Sequence, residues 1–216
     1  MSINKTYAVF GLGRYGTAVA RELVKNGADV LAVDKNAETV NALVGEIPLL
    51  RCADVTDKNA VEELGVSGVD VAVVSMGSNL EASVMATLLI KEVGVNTVIV
   101  KCADEMHSKI LKKVGADRVV IPESESGIRL AKNLLSSGFV DMVELSKDVS
   151  LVELDVREEW ADKSLIELNL RKKYSINVVA IVEDDGVRVN IDPTVPLKKG
   201  SKLVIIANTE ALSKLK

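Results

Sequence analysis

The stretch AVFGLGRYGTAVARELVKNGADVLAVD, residues 8–34, decides the fold of this chain. An apolar run leads into Gly11, Gly13 and Gly16 in a G-x-G-x-x-G arrangement, and a second apolar run ends at Asp34. In such a unit the first glycine permits a tight turn, the second lets a pyrophosphate approach the backbone, and the third lets helix and strand pack closely. The stretch therefore predicts a strand, a helix and a second strand, with a diphosphate site at the glycine turn.

The same rhythm continues toward the middle of the chain. Short β-branched runs alternate with amphipathic stretches up to DRVVIP, residues 117–122, and make six predicted strands. Gly27, Gly65, Gly94 and Gly115 each follow a periodic stretch, where a left-handed helix end is expected. This alternation is typical of a parallel sheet covered by helices on both faces.

The pattern changes in the last third of the chain, where strands follow one another closely. A helical piece, KSLIELNLRKKYS at residues 163–175, interrupts them, and EDDG at residues 183–186 predicts a hairpin turn. The sequence thus predicts a Rossmann-like, doubly wound α/β domain at residues 1–138 and a smaller α+β domain at residues 139–216.

Composition excludes several classes of function. With 27 Lys and Arg against 31 Asp and Glu, a net charge of −4 and 3% aromatic residues, nucleic-acid binding is not expected. The N-terminus lacks a signal peptide and no apolar run reaches the roughly 18–20 residues of a membrane helix, which predicts a cytoplasmic protein. Cys52 and Cys102 are expected to be two buried thiols, without a metal site or a disulfide.

The residues around the glycine turn suggest a ligand class without fixing one ligand. Asp34 lies 18 residues after Gly16, where a carboxylate can accept hydrogen bonds from an adenosine ribose and would repel a 2′-phosphate. NAD, ADP and ATP all remain possible. Arg14, inside the turn, favours a ligand with more terminal phosphate charge, although it could also point to solvent.

No catalytic residue is predicted. His107 is the one histidine, and EMHSKILKKVG, residues 105–115, is typical of a surface helix with this side chain on its first turn. Glu123 is more suggestive, because it follows the sixth strand and ligands gather at the carboxyl ends of parallel strands.

Three segments carry a resemblance to a known family: FGLGRYGTAVARELVKNGADVLAVDKN at residues 10–36, KVGADRVVIPESESG at 113–127 and LIELNLRKKYSINVVAIVEDDG at 165–186. The chain resembles the cytosolic RCK subunits (regulators of potassium conductance) of bacterial Ktr and Trk potassium-uptake systems. Its length resembles that of the short, single-copy Ktr type.

The resemblance implies that the N-terminal domain binds ATP or ADP, alternatively NAD or NADH. It implies that Arg14 reaches the γ-phosphate of ATP on a neighbouring subunit, that Lys101 supports the phosphates, and that Glu123 is a metal ligand that helps to hold Mg²⁺ or another cation beside them. The implied cofactor-binding residues are Gly11, Gly13, Arg14, Tyr15, Gly16, Asp34, Lys35, Asn36, Ala53, Asp54, Lys101 and Glu123.

For the C-terminal domain, the resemblance implies dimerisation and a site for cyclic di-AMP. Arg171 and Asn177 would make polar contacts, and the remaining implied residues are Ile166, Leu170, Val178 and Pro193. It further implies homodimers that assemble into an octameric ring, docked under a membrane potassium channel subunit at the inner face of the cell membrane.

Two functions therefore compete. One is a regulatory module that gates a potassium channel in response to bound nucleotide, with cyclic di-AMP as an optional second ligand. It would catalyse no reaction. The other is an NAD-dependent oxidoreductase with a substrate site between the domains. The small C-terminal domain and the lack of a clear catalytic base weigh against the enzyme.

Overall fold

A computed structural model describes residues 5–77, 79–135 and 139–215. The chain divides into two compact units, one ending at Ser124 and the other beginning at Glu125. The division falls within the helix Pro122–Leu135, and the domain boundary at residues 138 and 139 stays a prediction. No helix among the described residues is long and apolar enough to cross a lipid bilayer.

Strands and helices alternate through the first unit, as the sequence predicts. Its elements are β1 Thr6–Phe10, α1 Arg14–Lys25, β2 Asp29–Asp34, α2 Ala37–Asn41, β3 Leu49–Cys52, α3 Lys58–Glu63, β4 Val71–Val74, α4 Leu80–Glu92, β5 Thr97–Lys101, α5 Glu105–Val114, β6 Arg118–Val120 and α6 Pro122–Leu135. A short 3-10 helix, Val66–Gly68, lies between α3 and β4. The parallel strands have the order β3-β2-β1-β4-β5-β6.

The central strand β1 explains why this sheet is covered on both sides. Ala8 and Phe10 are buried in a cluster with residues of α4 and α5, whereas Val9 is buried in a second cluster with residues of α1. Neighbouring residues of a strand point to opposite faces, so a nearly continuous apolar strand needs helices on both. The order reverses between β1 and β4, where ligands bind in open parallel sheets.

The predicted helix ends after α1, α4 and α5 are confirmed. Gly27, Gly94 and Gly115 have φ of 79°, 95° and 120°, and Gly65 has a φ of 64°. Positive φ values favour glycine, because glycine has no Cβ to collide with the backbone.

The second unit contains a mainly antiparallel sheet with short helices. Its elements after α6 are β7 Phe139–Glu144, β8 Val149–Asp155, the 3-10 helix Glu158–Trp160, α7 Leu165–Leu168, α8 Leu170–Tyr174, β9 Asn177–Glu183, β10 Gly186–Arg188, β11 Lys202–Asn208 and α9 Thr209–Ser213. The strand order is β10-β9-β11-β8-β7, with antiparallel pairs throughout. The predicted hairpin at EDDG is confirmed, because Glu183 pairs with Gly186.

One detail of the second unit differs from the sequence-based assignment. The predicted helical piece at 163–175 is two helices, because Asn169 has a left-handed backbone with φ 47° and ψ 45°. Asparagine tolerates this conformation better than most residues, and it ends α7 there. Ser164 and Glu167 form a capping box at the start of α7. Together with the parallel sheet, this unit confirms the predicted fold class.

Candidate functional site: a glycine-turn cleft and an Asp34 cleft

The glycine turn is built as the motif predicts, with a different reason for each glycine. Gly11 has a φ of 89°, and a Cβ there would lie 2.9 Å from Met76 Cγ. A Cβ on Gly16 would lie 1.9 Å from the carbonyl oxygen of Gly11, so any side chain there would collide with the turn. These two glycines are required by the fold itself.

Gly13 has no such structural requirement. Its φ of −68° and ψ of −173° are open to any residue, and, apart from its chain neighbours, a Cβ there would meet no atom of the described residues within 4 Å. It is the N-cap residue of α1, where a glycine supplies no side-chain cap, and the first turn of this helix has no acidic residue. The first N–H groups of a helix have no partner within the helix and carry partial positive charge. The turn therefore offers an open anion-binding surface at the residue where the motif expects a pyrophosphate.

A cleft of about 560 Å³ opens directly beside this turn. This glycine-turn cleft brings together the predicted residues Gly13, Arg14, Tyr15, Lys101 and Glu123, and it also includes Ala18, Ser75 and Gly77. Ser75 and Gly77 were not predicted as ligand-binding residues. Their position after β4, at the carboxyl edge of the sheet, is the signal that could have identified them.

Of the two cations in the glycine-turn cleft, Lys101 is the less exposed and has more contacts. Its side chain is 19% exposed, and its Nζ donates a hydrogen bond of 2.8 Å to Glu123 Oε1. The same ammonium lies 5.8 Å from the ring centroid of Tyr15. Lys101 is the last residue of β5. The backbone of Gly77 lies close to the backbone of Lys101, since a Cβ at residue 77 would be 3.2 Å from the Lys101 carbonyl oxygen.

Glu123 lies in the first turn of α6 and is 68% exposed. The hydrogen bond from Lys101 lowers the pKa of its carboxyl below the ordinary value, and its own backbone N–H and the positive charges of Lys101 and Arg14 act in the same direction. Arg14 itself is exposed, and no hydrogen-bond or ion-pair partner is found for it among the described residues. Two cations and one carboxylate thus face the cleft.

A smaller cleft of about 100 Å³ lies at the ends of β2 and β3. This Asp34 cleft is lined by the predicted residues Gly11, Asp34, Lys35, Ala53 and Asp54, together with Val33, Val55 and Met76. The Ala53 N–H donates to the Asp34 carbonyl oxygen at 3.1 Å, which brings the ends of the two strands together. Its mixed apolar and polar lining suits a nucleoside.

Asp34 is shared between the turn and this cleft. Its Oδ2 accepts a hydrogen bond of 2.6 Å from Leu12 N, and its Oδ1 accepts one of 2.8 Å from Asn36 N. A carboxylate has about four lone-pair sites, so this half-buried group keeps capacity for ribose hydroxyls.

The other predicted residues near Asp34 have partners of their own. The Asn36 side chain caps α2 by accepting from Glu38 N at 2.8 Å, and Asn36 does not line the cleft. Asp54 has a lowered pKa, first because the Thr56 hydroxyl donates to it and also because the Thr56 N–H does. Lys35 lies on the exposed rim.

One prediction about the thiols is wrong. Cys102 is buried, and burial raises its pKa, but Cys52 is exposed at the end of β3. β3 is the edge strand of the described parallel sheet, so the thiol lies at the margin of the sheet and not at its centre. Cys52 Sγ lies 3.6 Å from the Lys35 carbonyl oxygen, next to the Asp34 cleft.

His107 and Glu123 each lie against another charged side chain in the described part of the chain. His107 lies in the first turn of α5, as predicted, with Nδ1 3.6 Å from Asp104 Oδ2. No group of three or more His, Cys, Asp or Glu side chains arranged for a metal ion is present among the described residues. Glu123, the predicted metal ligand, pairs with Lys101 instead of a second acidic group.

The predicted residues of the second unit are only partly brought together. The Ile166 N–H donates to the Pro193 carbonyl oxygen at 3.2 Å, and Ile166 is 61% exposed. Arg171 and Asn177 are exposed, Val178 is half-buried, and Leu170 is 3% exposed within the core cluster. Within one chain, Leu170 supports the packing of α8 and does not form part of an accessible surface.

Comparisons with known proteins agree with this architecture. A TrkA-N domain matches residues 7–122 and a TrkA-C domain matches residues 149–216. The Ktr system potassium uptake protein C of Bacillus subtilis strain 168 is 35% identical over 212 residues, which is 98% of this chain and 96% of that protein.

Two solved structures are similar in fold. A GsuK channel bound to NAD has a TM-score of 0.65 at 16% identity and covers all of this chain, which spans 40% of that channel's length. The NAD(P)-binding domain of an exopolyphosphatase-related protein from Archaeoglobus fulgidus has a TM-score of 0.54 at 26% identity, over 61% of this chain and 98% of that domain. With both domains matched in order over nearly the full length, the chain belongs to the TrkA-N and TrkA-C family of RCK subunits, of the Ktr potassium-uptake type.

Proposed function

We propose that this chain is the cytoplasmic regulatory subunit of a potassium-uptake system, and that bound ATP or ADP sets its conformational state. The Ktr-type relative of similar length supports the regulatory role and weighs against the oxidoreductase. In this proposal the protein turns nothing over. A ligand that binds one of two shapes more tightly than the other shifts the protein toward that shape.

The open position at Gly13 carries the nucleotide part of the proposal. A glycine that neither the backbone angles nor the packing requires is best explained by close approach of a ligand to the main chain. Gly13 and the first turn of α1 would receive the diphosphate, and Asp34 would accept the ribose hydroxyls. Ala53 and Asp54 would border the nucleoside in the Asp34 cleft.

The glycine-turn cleft suits terminal phosphate charge beyond that of the bridging pyrophosphate of NAD. Arg14 and Lys101 both face it, whereas a pyrophosphate bound by neutral backbone groups does not need two additional cations. This favours ATP and ADP over NAD, although the fold is also that of NAD(P)-binding domains. In the assembled protein, Arg14 would reach the terminal phosphate of a neighbouring subunit's ATP, and a cation such as Mg²⁺ would lie between that phosphate and Glu123.

The proposed partners are further copies of the chain and a membrane potassium channel subunit. Large apolar side chains are exposed on several helices, among them Met85 and Leu88 on α4 and Ile128, Leu130 and Leu134 on α6. Apolar exposure of this kind favours assembly, which we propose to be a homodimer that builds an octameric ring. Cyclic di-AMP would be a second ligand, at the surface near Ile166 and Pro193 in the dimerising C-terminal unit.

Potassium flux tests the proposal directly. Vesicles that contain a Ktr membrane subunit and this chain should take up potassium faster with ATP than with ADP, and the Asp34→Ala variant should lose that difference. Equal flux with both nucleotides would contradict regulation by nucleotide. Oxidation of NADH by the purified chain, followed by absorbance with candidate substrates, would instead favour the enzyme.

A further inference from the structure

The ion pair between Lys101 and Glu123 joins a mostly buried cation to an exposed anion. The Lys101 side chain is 19% exposed, whereas that of Glu123 is 68% exposed. The Lys101 ammonium lies on the Tyr15 ring as well as against the carboxylate, at 5.8 Å from the ring centroid. Lys101 therefore remains in the cleft whether or not Glu123 contacts it, but Glu123 can turn away into solvent.

A carboxylate and a ligand phosphate make the same kind of contact with an ammonium group. Both present anionic oxygens, and both form charge-assisted hydrogen bonds with N–H donors. The 2.8 Å bond shows that a Glu123 oxygen occupies one donor direction of Lys101 inside the glycine-turn cleft. A phosphate that uses Lys101 fully has to displace that oxygen, or to lie beside its negative charge.

We propose that Glu123 is a specificity-determining residue, an internal anion that competes with ligand phosphates for Lys101. The inference rests on the proposed function, since it concerns the same nucleotide site. Glu123 lowers the affinity for every ligand whose phosphates need Lys101, so the site rejects anions that cannot replace the carboxylate. A cation that neutralises Glu123 removes this competition, which links cation binding to phosphate binding.

The competition predicts a gain of affinity when the carboxylate is removed. In buffer with a chelator, so that no divalent ion bridges Glu123 to phosphate, Glu123→Gln should bind ADP about three- to tenfold more tightly than the natural chain, as measured by calorimetry. This range reflects the modest strength of the partly exposed ion pair with Lys101 that the ligand no longer has to break. Direct support of the phosphates by the Glu123 side chain, without a bridging cation, predicts the opposite sign.

Glu46→Gln provides the matched control. Glu46 forms an ion pair of the same type with Arg21 in the same unit, is 47% exposed and lines neither cleft. Its loss changes the net charge as Glu123→Gln does, so general charge effects should appear in both variants. We expect the control to bind ADP within about twofold of the natural chain.

A second pair of variants tests whether the effect passes through Lys101. In a Lys101→Gln background, the added Glu123→Gln change should alter ADP affinity by less than about twofold, because the contested donor is gone. The inference is overturned if Glu123→Gln binds ADP equally or more weakly in the chelator, or if its gain persists without Lys101. If the natural chain binds ADP but Glu123→Gln binds it no more tightly, this inference alone is rejected. If neither the natural chain nor any variant binds nucleotide, the inference and the proposed function are both rejected.

Discussion

The carboxylate of Asp34, the last residue of β2, accepts a hydrogen bond of 2.6 Å from the backbone N–H of Leu12, between the first two glycines of the turn. The end of β2 thereby holds the glycine turn that follows the neighbouring strand β1. Because the other oxygen accepts from Asn36 N at 2.8 Å, Asp34 fixes two loops as well as facing the nucleoside cleft.

This double role gives the first prediction. Asp34→Ala should lower ADP affinity by roughly 10- to 100-fold, because a charge-assisted hydrogen bond contributes about 1.5–3 kcal/mol. Asp29→Ala is the control, since Asp29 is exposed at the other end of β2. Calorimetry that finds the two variants equal would remove Asp34 from the site.

The second prediction separates the glycines by their roles. Gly16→Ala should lower the free energy of unfolding by about 1–3 kcal/mol, because its Cβ would overlap the Gly11 carbonyl oxygen. Gly13→Ala should change stability by less than about 1 kcal/mol, since its position is open. Chemical denaturation measures both values.

ADP affinity should depend on Gly13 although the stability of the fold does not. The folded Gly13→Ala protein should bind ADP at least roughly tenfold more weakly, because a methyl group would hold the diphosphate away from the backbone. A stable Gly13→Ala protein that binds ADP as well as the natural chain would contradict the proposed place of the phosphates.

The third prediction concerns pH. Lys101 lowers the pKa of Glu123, so the stabilisation from this pair is fully present above the ordinary glutamate value, near pH 4.5. It is lost as the pH falls through the lower pKa of the folded protein. Lys101→Met should raise the Glu123 pKa toward its ordinary value in a side-chain NMR titration, and an unchanged midpoint would show that the pair does not form in solution.

The fourth prediction uses the two thiols. Ellman's reagent should modify Cys52 rapidly and Cys102 slowly, because one is exposed and the other is buried with a raised pKa. ADP should slow the reaction of Cys52, which adjoins the Asp34 cleft through the Lys35 carbonyl oxygen. A Cys52→Ser variant identifies the fast phase, and a rate independent of ADP would argue against a nucleoside at this edge.

The fifth prediction addresses assembly. Leu134 is 76% exposed on α6, one helical turn from Leu130, which is 59% exposed. Leu134→Glu should reduce the assembly mass in light scattering, because it introduces a charge into an apolar stripe. Val44→Glu, at an exposed valine outside α4 and α6, should leave the mass unchanged. Equal masses for both variants would exclude this face of α6 from the interface.

Local sequence pattern predicted much of the fold, because its signals are carried by neighbouring residues. The glycine turn, the six parallel strands and the EDDG hairpin depend on short-range geometry, and the structure has all of them. The break at Asn169 was missed because a single left-handed residue leaves the apolar periodicity around it intact.

The site was less predictable where it depends on distant residues. Lys101 and Glu123 are adjacent only because β5 and α6 end and begin at the same edge of the sheet. The hydrogen bond from Leu12 N to Asp34 depends in the same way on the pairing of β1 and β2. Cys52 was assigned to the interior because its run is apolar, whereas β3 is an edge strand.

Small-angle scattering of the natural chain and of Arg14→Ala, each with ATP and with ADP, tests the central claim that nucleotide identity sets the shape of the assembly. The natural chain should give different profiles with the two nucleotides, because Arg14 would attract the additional phosphate of ATP. Arg14→Ala should retain ADP affinity within a few fold, yet give the same profile with both. Identical ATP and ADP profiles from the natural chain, at concentrations that calorimetry shows to be saturating, would contradict the account.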